Sequence, residues 1–299
     1  MRSPAELDLA RPVGDDESEP MATTSIEWTD RVWNPVTGCT KVSPGCKHCY
    51  AETIADRFWS TQYKPVLDHT RQGVLERARR FTDIQCHADR LAEPGSWRKP
   101  SRVFVNSMSD LFHDEVPGAF IEQVFAAMVA TPRHTYQILT KRADNMRRFM
   151  VAWQQRHGSV PPNVWLGVSV ENQEHGDERI PLLLQAPAAV RFLSCEPLLG
   201  PLRLFAPEGP VGATVAGARL DWVIVGGESG RGARPFDVAW ARALINQCRG
   251  AGVACFVKQL GAKSIAGDER VVLTNRKGGA PDEWPADLRV REFPLRGGQ

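Results

Sequence analysis

Short apolar runs alternate with amphipathic segments along the chain from about residue 102 onward. The runs are rich in Val, Ile, Phe and Trp, and several are continuous rather than alternating. Strands that are buried on both faces of a parallel sheet have this pattern. The pattern predicts strands at 102–106, 135–139, 163–170, 190–195, 221–226 and 253–258.

The segments between these runs carry helix signals. In the segment 117–132, apolar residues recur with helical spacing, which predicts one buried face. In the segment 237–250, Asp237 is a favourable N-cap and Gly250 is a favourable stop. Weaker patterns predict two further helices, at 142–156 and 176–186.

The alternation of strands and helices implies parallel strands joined by right-handed crossovers. Polar residues follow five of the predicted strands directly. A barrel gathers the carboxyl ends of all its strands at one rim, whereas an open sheet concentrates its site at one switch point. We therefore predict an α/β fold, a partial or full (β/α) barrel of about six parallel strands.

The remaining segments set the predicted domain limits. Residues 60–100 lack a clean period, which indicates an insertion or a helical excursion within a barrel domain at 21–264. Residues 265–299 are typical of a loop-rich C-terminal extension. Residues 1–20 carry two arginines against six acidic residues and no aromatic residue, so we predict a disordered acidic tail, with Met21 as a candidate translation start.

Composition narrows the class of protein. The 299 residues are 42% hydrophobic, which suffices for a substantial core. The sequence shows neither an apolar run that could span a bilayer nor a signal peptide, so we expect a cytoplasmic protein without a membrane partner. The formal net charge is +2, and outside the acidic start the chain is mildly basic, which permits a nucleic-acid partner.

Three of the seven cysteines fall in one short segment, "GCTKVSPGCKHCYAE", from Gly38 to Glu52. This segment is named the cysteine loop. Six residues separate the first two thiols and two residues separate the last two, with Gly and Pro between them. The three residues are Cys39, Cys46 and Cys49.

The thiol cluster favours metal or redox chemistry over a disulfide, because cytoplasmic thiols stay reduced. Structural zinc sites are normally closed by four ligands, whereas this loop offers three thiols without an obvious fourth. A [4Fe–4S] cluster on three thiolates would leave one iron free to bind a further ligand. A zinc site with His48 as the fourth ligand, and a set of small buried hydrophobic residues, stay open as alternatives.

Three cysteines ahead of the first helix of a βα-barrel resemble the loop of radical S-adenosylmethionine enzymes. Their usual loop is C-x3-C-x2-C with an aromatic residue before the last cysteine; here the first gap is longer and His48 stands at the aromatic position. From Ile26 to about Leu295 the chain resembles a phage-associated family, distantly similar to the radical enzymes of the spore-photoproduct-lyase kind. The phrases that carry this resemblance are "WNPVTGCTKVSPGCKHCYAE", "VFVNSMSDLFH", "LTKR", "NVWLGVSVEN", "RFLSCEPLLGP", "DWVIVGGESG" and "FVKQLG".

The resemblance implies that Cys39, Cys46 and Cys49 ligate a [4Fe–4S] cluster whose free iron binds S-adenosylmethionine. Such enzymes take an electron from a donor, cleave this cofactor reductively and abstract hydrogen from a substrate. Polar residues at the strand ends are then expected to hold the cofactor, although solvated loop carboxylates or helix caps are the alternative for the glutamates. The expected cofactor-binding residues are Asn106, Ser107, Ser109, Ser169, Glu171, Gly226, Gly227 and Glu228.

Cys195 ends the strand predicted at 190–195, where its side chain is expected to face the barrel lumen. The similarity to photoproduct lyases implies a catalytic role as a hydrogen-atom donor, and a buried core thiol is the alternative. Five cations at or just after strand ends are candidates for contacts with the phosphates of a nucleic acid or nucleotide-like substrate, or for a solvated rim. They are Lys141, Arg142, Arg231, Arg234 and Lys258.

Together these features predict a radical S-adenosylmethionine-like iron–sulfur enzyme whose substrate is unidentified, with nucleic acid as one candidate. Two other classes compete with this hypothesis. One is a non-catalytic metal-binding module in which zinc or an Fe–S cluster only holds the loop. The other is a phage DNA-binding accessory protein that uses the basic rim.

Overall fold

The computed structural model describes residues 24–70, 73–205 and 218–294, so the predicted tail at 1–20 and Met21 lie outside the described residues. Its main element is one sheet of seven parallel strands whose order in the sheet follows their order in the chain. The sheet curls into a half-barrel, which confirms the predicted barrel-like fold with one strand more than the predicted six. The strands are β1 (Arg31–Trp33), β2 (Arg102–Val105), β3 (Thr135–Thr140), β4 (Val164–Ser169), β5 (Val190–Cys195), β6 (Trp222–Gly226) and β7 (Ala254–Gln259).

Strand β1 is the one that the apolar pattern does not reveal. It has three residues and begins with Arg31, which is buried although charged. It pairs in parallel with β2, so that Arg31 lies beside Val103 and Trp33 beside Val105. A three-residue strand that begins with a cation has no recognisable apolar run, so its pairing with β2 identifies it.

The longer helices are α1 (Tyr50–Gln62), α2 (Gly118–Val129), α3 (Ala143–His157), α4 (Gln173–Gln185) and α5 (Val238–Ala251). The last helix begins as predicted, because the Asp237 carboxylate accepts a hydrogen bond from the Ala239 N–H at 2.9 Å. Its predicted end at Gly250 is wrong. The helix continues to Ala251, and Gly252, with φ 65°, takes the left-handed position that ends it.

The two faces of the sheet are covered differently. One face packs against α2, α3, α4 and α5 in the larger core. On the opposite face of the sheet, the ring of Phe192 from β5 fills the space where a side chain of Gly167 in β4 would lie. That opposite, concave face carries a layer of aromatic residues: Trp28, Phe104, Trp165, Phe192, Trp222 and Phe256. Burial of each such ring contributes roughly 1.5–3 kcal/mol, so the aromatic layer stabilises the curled sheet from inside.

The region between α1 and β2, where an insertion or helical excursion was expected, is mostly not helical. It contains a two-stranded antiparallel hairpin, Val66–Thr70 with Gly73–Arg77, and a short helix at Glu93–Ser96. Leu67 and Leu75 of the hairpin are exposed, at 58% and 59%. Exposed apolar residues on a two-stranded hairpin give no buried face, which explains why the segment shows no clean period.

The segment after β7 packs onto the barrel. Trp284 and Leu288 are buried in the main core. The Trp222 indole N–H donates to the backbone carbonyl of Glu292 at 2.8 Å, and the N–H of Val257 donates to the carbonyl of Val290 at 2.8 Å. In the described ranges, every helix is too short or too polar to cross a membrane.

Candidate functional site

The cysteine loop covers a cavity of about 140 Å³ at the carboxyl ends of β2, β3 and β4. All three thiols line it, as do four of the strand-end residues expected to bind a cofactor. Phe104 and Leu139 of the concave face form its floor. The four strand-end residues are Asn106, Ser107, Ser109 and Ser169.

Local sequence shapes the cysteine loop. Gly38, with φ 97°, lies so close to the carbonyl oxygen of Asp83 that a Cβ atom would clash with it, so only glycine fits there. Pro44–Cys46 form one turn of 3-10 helix, for which proline is favourable at the start. Cys49 then precedes α1 as its N-cap, so the last three residues of the loop form the first turn of the helix.

Three ion pairs hold the loop, and the first is the Asp110 anchor, formed by Asp110 and Arg142 at 3.2 Å. Both side chains are 7% exposed. Arg142 also donates to the Thr40 hydroxyl at 2.9 Å and lies 3.7 Å from the Cys39 sulfur. Asp110 in turn accepts a hydrogen bond from Thr140 at the end of β3, at 2.7 Å. The first cysteine is thereby tied to the ends of β2 and β3.

The second, the Glu171 anchor, is the ion pair of Glu171 with Arg179 of α4 at 2.8 Å, with side-chain exposures of 0% and 3%. The Ser43 hydroxyl of the loop donates to the same carboxylate, and Gly45 lies against it without room for a side chain. Burial opposes ionisation of Glu171, but Lys141, Arg179 and Ser43 outweigh it and lower its pKa. Glu171, expected to bind a cofactor, is thus engaged by the loop itself.

The third, the Glu228 anchor, joins Glu228 after β6 to Arg234 at 2.6 Å and to the His48 ring at 3.1 Å. Arg234 also donates to the backbone carbonyl of Pro44 at 2.9 Å. Burial opposes ionisation of Glu228, yet the hydrogen bonds from Arg234 and His48 outweigh it and lower its pKa to about 2. A second carboxylate expected at the cofactor therefore also binds the loop.

Two of the serines and both glycines of the expected cofactor site also contact other parts of the protein. The Ser107 hydroxyl donates to the Asn34 side-chain oxygen at 3.2 Å, and the Ser109 hydroxyl donates to the Val36 carbonyl at 2.8 Å. A Cβ atom on Gly226 would crowd the Glu196 side chain, and one on Gly227 would clash with the Leu260 carbonyl. The groups that lie close to these two glycines are therefore Glu196 and Leu260 of the protein itself.

Asn106 is, with Arg142, one of two residues of this cavity with a buried side-chain nitrogen that lacks a hydrogen-bond partner among the described residues. It is 2% exposed, and its backbone is left-handed, with φ 62°. Its side-chain oxygen accepts from the Val36 N–H at 3.3 Å, while its Nδ2 has no partner within the described residues. A buried amide donor without a partner is rare, and strained non-glycine backbone is concentrated at functional sites. Both observations point to a ligand in the cavity.

The expected orientation of Cys195 towards the lumen is wrong. In β5, Val190 and Phe192 face the concave aromatic layer, whereas Leu193 and Cys195 belong to the core that faces the helices. The thiol is fully buried, and burial raises its pKa. Ser194 lies between these two residues and is buried as well. A strand buried on both faces has no alternation of polarity, so the sequence does not reveal which side Cys195 takes.

The five rim cations are used in different ways. Lys141 lines the cavity, while Arg142 and Arg234 belong to the loop anchors. Lys258 pairs with Glu196 at 2.7 Å. Arg231 is exposed. Three of the five are thus paired with carboxylates, which reduces the positive charge available to phosphates at this rim.

The thiols share the cavity without forming a coordination shell. Within the described ranges, no group of three or more Cys, His, Asp or Glu side chains is gathered closely enough to hold a metal ion. Burial and the nearby Asp110 raise the pKa of Cys39 to about 11, against the opposing charge of Arg142. Thiolate donors suit zinc or an Fe–S cluster, but binding would have to draw the thiols together and displace a proton from Cys39.

Several residues of the site were missed from the sequence. Ser43 and Thr40 are ordinary loop residues, and nothing local marks them as contacts of distant side chains. Arg179 does carry a signal, because it shares the buried face of α4 with Leu183. A charged residue on an apolar helix face needs a buried partner, which Glu171 supplies.

Fold and site together define an α/β half-barrel protein with a thiol-lined cavity at the carboxyl edge of its parallel sheet. Residues 23–282 match the family described as "Protein of unknown function (DUF5131)", and the chain belongs to this family. Neither a curated protein nor a solved structure matches the chain. The family description carries no reaction and no phage association, so both stay predictions.

Proposed function

We propose that the cysteine loop binds a [4Fe–4S] cluster and that the protein is a radical S-adenosylmethionine-like enzyme. The observation that carries this proposal is the cavity where Cys39, Cys46 and Cys49 meet the unpartnered Nδ2 of Asn106. Three thiols around one space supply three ligands to a cluster, and a buried amide donor supplies a contact to a further ligand.

When bound, such a cluster supplies the electron for reductive cleavage of S-adenosylmethionine. The chain's own residues have two tasks in this proposal. The Asp110 and Glu171 anchors orient the first and middle parts of the loop, and Arg142 places positive charge beside the Cys39 sulfur. Asn106 and Ser169 hold the cofactor from the strand ends.

The size of the cavity determines how S-adenosylmethionine would enter. At about 140 Å³ it is smaller than the ~300–1,000 Å³ typical of sites for drug-sized ligands. S-adenosylmethionine therefore requires the cysteine loop to move outward, and the Glu228 anchor, whose Arg234 and His48 are partly exposed, is the side that can release it.

A second candidate is a non-catalytic metal-binding module. It is favoured by the contacts of Glu171 with Ser43 and of Glu228 with His48 of the loop, which leave fewer polar groups for a cofactor. In this alternative the metal only joins the thiols and the anchors complete a structural unit. A structural metal in the cavity would need no contact with Asn106.

The first test is anaerobic purification with iron and sulfide analysis and a visible spectrum. We expect about four irons per chain and a broad charge-transfer band. Cys46→Ala should lose both, whereas the matched control Cys86→Ala should keep both, because Cys86 does not line the cavity. Stoichiometric zinc without the band, even after anaerobic reconstitution, would overturn the cluster.

The second test separates enzyme from structural module. With dithionite as reductant, the loaded protein should convert S-adenosylmethionine to 5′-deoxyadenosine and methionine, detected by mass spectrometry. Asn106→Asp keeps the oxygen that accepts from Val36 but removes the unpartnered donor, so it should weaken cofactor binding at unchanged iron content. A full, reducible cluster that binds no S-adenosylmethionine would leave the structural module standing.

A further inference from the structure

A second cavity lies away from the thiols, between the end of α1, the hairpin and the chain that follows it. Its volume is about 590 Å³, within the ~300–1,000 Å³ typical of small-molecule sites. The cations at its wall are Lys64, Arg79 and Arg90. We propose that this cavity binds a small phosphorylated molecule, with its phosphate group among these three cations.

Charge is the first support. Two carboxylates also line the cavity, Asp83 and Asp89. Asp83 is already engaged by Arg77, which donates to both of its oxygens at 2.6 and 2.8 Å, and by the Arg80 N–H at 2.7 Å. Asp89 is exposed, so water screens its charge. The lining therefore keeps an excess of positive charge.

Arg79 is the second support. It is 6% exposed, and its Nη2 donates to the carbonyl and hydroxyl of Thr37 and to the Asp83 carbonyl, at 3.0, 2.7 and 2.9 Å. Its Nη1 has no hydrogen-bond partner, and no carboxylate forms an ion pair with it, among the described residues. A buried guanidinium without a counter-charge is costly, so the wall holds a cation that an anion would complete.

Aromatic rings fix this cation in place. The Arg79 guanidinium lies over Trp59 and Tyr63, at 4.3 and 4.5 Å from the ring centroids. Arg90 lies on the same Tyr63 ring at 6.0 Å and donates to its hydroxyl at 3.2 Å. Because the side chains are held before any ligand arrives, binding costs little side-chain ordering.

His87, at the wall beside Arg79, is consistent with the positive field. Burial, followed by the charges of Arg90 and Arg79, lowers its pKa to about 4. The ring is therefore neutral at pH 7, and its Nε2 lies 2.7 Å from the Thr37 hydroxyl. The anion would meet arginine and lysine groups, which suit phosphate through charge-assisted hydrogen bonds.

The test is calorimetric titration of the full chain with inorganic pyrophosphate at fixed ionic strength, with sulfate as the comparison anion. Saturable binding of pyrophosphate, tighter than that of sulfate, is expected. Lys64→Gln should weaken it about tenfold, because it removes one charge-assisted contact. The matched control Arg57→Gln removes an exposed cation of α1 that lies outside the cavity, and binding should be unchanged.

Arg79→Gln should abolish binding, and because it also loses the contacts to Thr37, its melting temperature is measured beside that of the wild type. Lys64→Gln keeps the test decisive because the Lys64 side chain is exposed. Equal binding of sulfate and pyrophosphate, an unchanged affinity in Lys64→Gln, or an equal loss in Arg57→Gln would each overturn the proposal. Iron content should be the same in all these variants, so the result is independent of the proposed function.

Discussion

The cysteine loop is held on two sides that differ in their exposure to water. Towards β2–β4 it meets the Asp110 and Glu171 anchors, whose side chains are 0–7% exposed. Towards β6 it meets the Glu228 anchor, in which Arg234 is 24% and His48 31% exposed. The buried side ties the half-buried loop to the ends of β2–β4, and we expect the wetter side to release the loop more readily. Substitutions that weaken one side at a time test this difference.

The largest effect is expected at the Glu171 anchor. Glu171→Gln leaves Arg179 buried without its counter-charge, which should lower the free energy of unfolding by about 3–5 kcal/mol. Urea denaturation measures this loss. The control Glu174→Gln alters an exposed residue of α4, the helix that carries Arg179, and should change stability by less than about 0.5 kcal/mol. A loss below about 1 kcal/mol in Glu171→Gln would contradict the role of this anchor.

The Glu228 anchor should contribute less, and its contribution should depend on pH. The folded-state pKa of about 2 is depressed, so the stabilisation is present above the unfolded-state pKa of about 4.3 and is lost as pH falls towards 2. Glu228→Gln should therefore cost up to about 3 kcal/mol at pH 7, and its difference from the wild type should shrink between about pH 4.5 and 2. Denaturation at a series of pH values checks this. A difference that stays constant over that range would refute it.

A smaller effect is expected from Gly45→Ala. The added methyl group would meet the Glu171 side chain, so the loop must shift, at a cost of about 1 kcal/mol because the loop is only half-buried. Thermal unfolding measures the cost. Gly118→Ala is the matched control, since nothing lies within 4 Å of its new Cβ atom and it stands in the first turn of α2. Equal stability of the two variants would show that the loop has room at Gly45.

The smallest effect is expected at the exposed pair of Lys41 and Glu52, 2.7 Å apart with side-chain exposures of 53% and 28%. Lys41→Gln should cost less than about 0.5 kcal/mol, and the difference should vanish in high salt. Denaturation at low and high ionic strength tests both points. A loss as large as that of Glu228→Gln would remove the contrast between the buried and wet sides.

The strands were predictable because continuous apolar runs persist in a sheet covered on both faces. The same property hid the orientation of Cys195, since the two polar residues of "VRFLSC", Arg191 and Ser194, fall on opposite faces of the strand and mark neither as the outer one. Strand β1 was missed because three residues beginning with Arg31 are too few for a pattern. The end of α5 was missed by two residues, because Gly250 and Gly252 are both plausible stops and only the backbone conformation decides between them.

At the site, the sequence marked the thiols and the polar strand ends but could not assign their partners. Asn106 and Ser169 line the cavity with the thiols, as their positions after β2 and at the end of β4 suggested. Glu171 and Glu228 stand at equivalent strand ends, yet they bind Ser43 and His48 of the loop. These contacts join residues far apart in the sequence, so composition and spacing carry no information about them.

The separation of these partners along the sequence sets the order in which the ribosome synthesises them. Glu171 follows its partner Ser43 by 128 residues, and Arg234 follows Pro44 by 190 residues. Ribosomes add about 5–20 residues per second, so Arg234 is synthesised roughly 10–40 s after Pro44. During that interval the three thiols are part of a nascent chain that does not yet contain Arg234 of the Glu228 anchor. Under the proposed function, a metal centre would therefore enter the finished loop after synthesis, and a chain truncated before Arg234 would lack the contact of Arg234 with Pro44.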